Sequence, residues 1–312
     1  MIGGVLVAAC LLFSRLFAPL LLPDTAWSRR WPRLGLAAWA LLCVLTVLAV
    51  SALGLTAADP VLHGDRFFLL SQGCWETLWG QSGSQPVVAL SFTGGLLLGI
   101  GAPLRALWAV GRALLRDRRT RLEHIVKLDL IGAEHPARRP GATRAVLLQD
   151  ARPTAYCLPG RGGRIVLTSG ALRSLTPEAL AAVLEHEHSH LRGRHHQLLV
   201  VVGALASSLP WIPVLGTARR AMARLTELAA DDAAARRHGK RAVARGLAGL
   251  IASTTGPATR QAAGHDVKLR LARLTAADGR PGRCEWLMAA AGLGLTATGP
   301  FIATVGLWWL CC

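Results

Sequence analysis

The chain has 312 residues, of which 52% are apolar and only 17% charged, with a mean hydropathy of +0.38. That composition excludes an ordinary soluble globular protein. A formal net charge of +17 would suit a nucleic-acid binder, but the arginines cluster beside apolar stretches in the way membrane topology demands, so no nucleic acid is expected as a partner.

Four stretches, residues 1–22, 34–55, 87–110 and 286–310, exceed the roughly 20 residues needed to cross about 30 Å of hydrocarbon, and all four read as membrane spans. The first lacks a basic leading region and contains Arg15, so it reads as an uncleaved span rather than a secretory signal. Arg29, Arg30 and Arg33 follow it. Residues 56–86 hold Asp59, Asp65 and Glu76 against Arg66 alone, and Arg112, Arg116, Arg118, Arg119 and Arg121 follow the third span. The excess of positive charge places the first and third connections in the cytoplasm, and residues 56–86 and both termini outside, in a multi-pass protein of the cell membrane. Seven cysteines show no paired spacing and decide nothing.

Three regions follow from this reading: a membrane part at residues 1–110, a cytoplasmic domain at 111–285, and a last span with a short tail at 286–312. Residues 112–130 have helical spacing, and their arginines are expected to lie along the anionic lipids of the inner leaflet. Residues 144–150, 155–158 and 164–169 read as short strands, with Pro-Gly-Arg-Gly-Gly at 159–163 as the turn between the last two. Thr176 is a good N-cap, Pro177 suits the first helical position, and the charge of Glu178 suits the first turn.

That helix runs into His186-Glu187-His188-Ser189-His190, which fits H-E-x-x-H. Residues four apart share a helix face, so His186 and His190 can reach one zinc ion, while Glu187 beside that face can take a proton from water. His188 is about 200° round the helix and outside the ligand set. His195 and His196, beside Arg192 and Arg194, read as solvated where the helix meets the bilayer. Zinc of this kind takes a third protein ligand, and Glu227 is the candidate, with Asp231 one turn on to fix an imidazole tautomer. His238 falls on the same face and is a candidate oxyanion stabiliser. Residues 197–216 are apolar and resemble a further span. A single crossing would separate His190 from Glu227, so this segment is expected to form a hairpin or a re-entrant loop turning near Pro210 and Pro213.

Three pieces together resemble the membrane-embedded zinc metallopeptidases of the HtpX and Ste24 kind and their relatives among the BlaR and MecR antirepressor sensors, enzymes of the gluzincin type. They are the helix at 175–190, Glu-Leu-Ala-Ala-Asp-Asp-Ala-Ala at 227–234, and the strand pair at 155–172, with weaker likeness at 267–274. The resemblance implies an α-helical integral membrane protein with a cytoplasmic α+β zincin-like metallopeptidase domain. It implies one Zn2+ per chain on His186, His190 and Glu227, Glu187 as the catalytic base, and Asp231 behind a ligand. It also implies that Arg164, Ile165, Val166, Leu167, Thr168 and Ser169 form a strand lying along an extended substrate. Unlike the antirepressor sensors, the protein is expected to have no large penicillin-binding domain after its last span. A signal is therefore expected to be read by residues 56–86 or by a sensor or regulatory membrane partner. The expected activity is that of a zinc metalloendopeptidase on membrane-associated proteins or peptides. The alternative is a signalling or adaptor protein that keeps the fold without cleaving.

Overall fold

The computed structural model describes residues 26–62, 90, 92–131, 133–134, 144–160, 163–252 and 257–276. The spans expected at 1–22 and 286–310, and most of the external loop, lie outside the described residues. Among the described residues, two helices are long and apolar enough to cross a membrane, Pro32–Ala52 and Phe92–Leu128. The first belongs to α2 (Pro32–Leu62), which follows the short α1 (Ala26–Arg30). The second passes through one π-helical turn, Leu97–Gly101, into α3 (Ala102–Ile131). Glycines set how closely the two helices approach: a Cβ on Gly54 would collide with the backbone of Gly95 and Gly99. Small residues of this kind let membrane helices pack backbone to backbone.

One expectation changes here. Residues 112–130 do not form a separate helix lying along the leaflet; they prolong the second membrane-length helix without a break. No proline falls between Pro103 and Pro136, so none ends the helix at the arginines. The prolongation instead docks on the rest of the protein: Asp117 bonds His196, and Arg121 donates to the Pro159 carbonyl at 2.9 Å.

The small mixed sheet has strand order β1-β2-β4-β3, with β1 Ala133–Glu134, β2 Arg144–Leu148, β3 Ala155–Leu158 and β4 Arg164–Thr168. β4 pairs in parallel with β2 and antiparallel with β3. It is the buried strand, with Val166 and Leu167 fully covered. Thr168 ends it and caps α4 (Ser169–Ser174): its hydroxyl accepts from Ala171 N and donates to the Arg152 carbonyl at 2.7 Å.

Helices α5 (Pro177–Arg192), α6 (His195–Ser208), α7 (Pro213–His238), α8 (Lys240–Ala252) and α9 (Pro257–Thr275) complete the fold. α6 and α7 are joined by four residues and pack on one another, so the apolar stretch at 197–216 doubles back. Val202, Leu209, Ile212, Leu215 and Met222 bury their side chains against Trp27, Trp39 and Leu42 of α1 and α2. Pro213 opens α7 at a position where the lost N–H costs nothing. At the turn, the Ser208 carbonyl would lack a helical donor; Arg105 of α3 supplies one at 2.9 Å.

Candidate metal site

α5 begins where Thr176 accepts from Ala179 N at 3.3 Å, and it carries both histidines of the motif on the face turned toward α7. His186 Nε2 and His190 Nε2 lie 3.1 Å apart. Glu227, on α7, brings Oε2 to 3.6 Å from His186 Nε2 and Oε1 to 3.5 Å from His190 Nε2. A tetrahedral ion with bonds of about 2.05 Å separates its ligand atoms by about 3.3 Å. The three separations, two of them to different oxygens of Glu227, lie close to that value, so these residues could hold a metal ion, and two imidazoles with one carboxylate suit zinc.

Asp231, fully buried, sits with Oδ1 3.0 Å from His186 Nδ1, which must carry the proton if Nε2 is to present a lone pair. Arg270 on α9 grips Asp231 with Nε and a terminal nitrogen at 2.8 and 2.7 Å, and its other terminal nitrogen reaches Glu227 Oε2 at 2.8 Å. Burial would raise both carboxyls, but the His186 hydrogen bond and Arg270 hold Asp231 below the usual carboxylate range and bring Glu227 to about 2. For His186, burial works downward, and the hydrogen bonds to Asp231 and Glu227 override it and carry the imidazole to about 9. His190 moves the other way, to about 4, because burial dominates.

Glu187 lines the same cavity of about 150 Å3, whose apolar wall is Val183, Val243, Leu247 and Leu250. Burial raises its pKa, against the charge of His186 and a hydrogen bond with the Cys157 thiol. Burial first, and then the Glu187 charge, push Cys157 up to about 12, so the thiol is a neutral donor at this strand.

Arg270 and Cys157 had no role assigned from the sequence, and His195 and His238 stand in other surroundings than their spacing suggests. His195 is not solvated. It is 7% exposed, with Nδ1 3.1 Å from His190 Nδ1. Arg270 lay in the weakly similar stretch at 267–274, where an arginine between two leucines was the available signal. Cys157 gave no signal at all. His238 does not join the site: it is exposed at the end of α7, and eleven residues past Glu227 means about 16 Å of helix. Shared face did not mean shared site.

The strand expected to lie along a substrate also needs correction. Residues 164–168 form β4, which is hydrogen-bonded on both sides and has no free edge, while Ser169 already belongs to α4. Among the described strands, β3 carries the outer edge on this side of the sheet, next to α5 and with Cys157 against Glu187.

Residues 116–229 match the model of Peptidase family M48. Protease HtpX homolog 2 of Sulfurisphaera tokodaii is 40% identical over 62 residues, 19% of this chain and 19% of that protein. Protease HtpX homolog of Thermoplasma acidophilum is 43% identical over 51 residues, 16% of each. The chain thus spans less than a fifth of the length of the curated relatives it matches. His186, Glu187, His190 and Glu227 all fall inside the matched stretch, so the part of the chain similar to Peptidase family M48 includes the His/His/Glu cluster able to hold a metal.

Proposed function

We propose that this protein is a zinc-dependent metalloendopeptidase that hydrolyses peptide bonds of membrane or membrane-proximal proteins at the cytoplasmic face. The observation that carries the reading is the cluster of His186, His190 and Glu227 donor atoms, in which the two Nε2 atoms lie 3.1 Å apart and the Glu227 oxygens Oε1 and Oε2 lie 3.5 and 3.6 Å from His190 and His186, with Glu187 in the same cavity. A zinc ion bound there would act as a Lewis acid toward a carbonyl and would acidify water.

The chain's own groups do the rest. Asp231 fixes the His186 ring through Nδ1, and Arg270 fixes Asp231 and Glu227. Glu187 accepts a proton from the attacking water as the new C–O bond forms. It then passes that proton to the amine nitrogen as the C–N bond breaks, and its raised pKa suits both transfers. An extended substrate would add its backbone to the outer edge of β3, placing the scissile bond beside Glu187, with a neighbouring side chain against Val183, Val243 and Leu247.

The test is metal content and peptide cleavage by the full chain reconstituted in bilayers, with and without chelator. About one zinc per chain and chelator-sensitive, zinc-restored cleavage of membrane-tethered peptides is the expected result. Full cleavage by metal-free protein would overturn the proposal.

A further inference from the structure

A second, larger cavity, of about 760 Å3, lies against the neighbouring face of α5, where Glu185, Ser189 and Arg192 line it. Its volume falls within the roughly 300–1,000 Å3 of small-ligand sites. Four guanidinium groups surround it, those of Arg33, Arg192, Arg236 and Arg237, against one carboxylate, Glu185. Glu185 is 7% exposed and is already bonded by Arg192 and by Arg237, the latter at 2.8 Å. Arg33 and Arg236 have no carboxylate partner among the described residues.

The cavity's place in the fold identifies what those charges face. Arg33 is the second residue of α2, whose first 21 residues form a membrane-length apolar helix, so this end of the cavity lies where headgroups lie. From Arg33 the wall continues along α2 through Leu36 and Ala40, up to two turns into the apolar stretch. A cavity with guanidinium groups at the polar end and an apolar wall leading into the span has the polarity of a phospholipid. Arginine forks match phosphate oxygens, and basic pockets beside cytoplasmic ends of spans bind anionic headgroups.

We infer that this cavity binds one anionic phospholipid, its phosphate between Arg33 and Arg236 and an acyl chain along Leu36 and Ala40. The cavity is distinct from the one lined by His186, Glu187 and Glu227, although Gly193 and His195, which stand behind His190, also line it.

The experiment is native mass spectrometry of the full chain from mixed micelles holding equal phosphatidylglycerol and phosphatidylcholine with the same acyl chains. The wild type should retain one phosphatidylglycerol. Arg33→Gln with Arg236→Gln should lower that retention by roughly 30-fold, the effect of removing two charges beside an anionic headgroup. Ala40→Trp should lower it as well without touching charge, which covers the case in which the arginine variant fails to fold. Arg219→Gln with Arg220→Gln removes the same charge from exposed positions elsewhere and should leave retention unchanged. Excess glycerol phosphate, which offers the phosphate without the chains, should not displace the lipid. Equal retention in the wild type, the Arg33/Arg236 variant and Ala40→Trp would overturn the site. So would displacement of the lipid by glycerol phosphate, or by an acidic peptide.

Discussion

His190 and His195 meet nitrogen to nitrogen, Nδ1 to Nδ1 at 3.1 Å, across the turn that joins α5 to α6. Burial lowers the pKa of both rings, so near neutral pH one must donate and the other accept. A ligating His190 presents its Nε2 lone pair and therefore donates from Nδ1, leaving His195 as the acceptor. His195→Ala should then lower zinc affinity about 10- to 100-fold, as Asp231→Asn should behind His186. Loss of His186, His190 or Glu227 to alanine should abolish stoichiometric zinc, whereas His188→Ala and His196→Ala should keep it. Gly193→Ala sharpens the point. A Cβ there would run into the His195 imidazole while removing no polar group. It should reproduce the His195→Ala affinity. Competition with a fluorescent zinc chelator measures all of these, and unchanged affinity in both His195→Ala and Gly193→Ala would dismiss the role of that pair.

Glu187→Gln separates binding from chemistry. The amide keeps the size of the side chain and cannot accept a proton, so zinc content should match the wild type while kcat falls by about 10²- to 10⁴-fold. Wild-type cleavage rates in a fully zinc-loaded Glu187→Gln protein would remove Glu187 from the reaction.

Metal binding should be coupled to protons through His186. With its pKa carried to about 9, this ring holds a proton on each nitrogen at pH 7 in the metal-free chain. A cation must displace the one on Nε2, while Nδ1 keeps its bond to Asp231. Apparent zinc affinity should therefore climb about tenfold per pH unit up to about pH 9 and level off above it. Calorimetry at pH 7 in buffers of different ionisation enthalpy should report about one proton released per zinc. Release near zero at pH 7 would mean that His186 is already neutral there.

Much of this site could be read from the sequence because its signals are local. Thr176 and Pro177 fix where α5 begins, and four-residue spacing then puts His186 and His190 on one face whatever surrounds them. Glu227 and Asp231 are likewise one turn apart on α7. The parts that were not legible depend on long-range pairing or on backbone conformation. β4 is internal because β2 pairs with it in parallel, and alternation along a strand says nothing about its neighbours. His195 reaches His190 because Arg194 adopts a left-handed conformation at φ 49°, which spacing does not announce in a residue other than glycine. Arg270 meets Asp231 across 39 residues of chain.

The hairpin of α6 and α7 carries the last prediction, on which side of the membrane the site lies. α6 has 14 residues, about 21 Å of helix, too short for about 30 Å of hydrocarbon. α7 starts after a four-residue turn and packs back on α6, and both bury apolar side chains against α2. The turn's freed Ser208 carbonyl is satisfied by Arg105 of the other membrane-length helix. In that arrangement the segment is predicted to enter and leave the bilayer by one face, which keeps His190 and Glu227 together. Arg219, Arg220, Arg224, Arg236 and Arg237 on α7 then fall on the side that holds Arg192 and Arg194. The bias of arginine toward the cytoplasm predicts that this side is the inner one. Arg194→Cys and Arg219→Cys, made singly in a cysteine-free chain, should both resist an impermeant thiol reagent in intact cells and both react once the membrane is opened. Reaction of Arg219→Cys alone from outside would mean a single crossing between the two positions, and Glu227 could not then share an ion with His190.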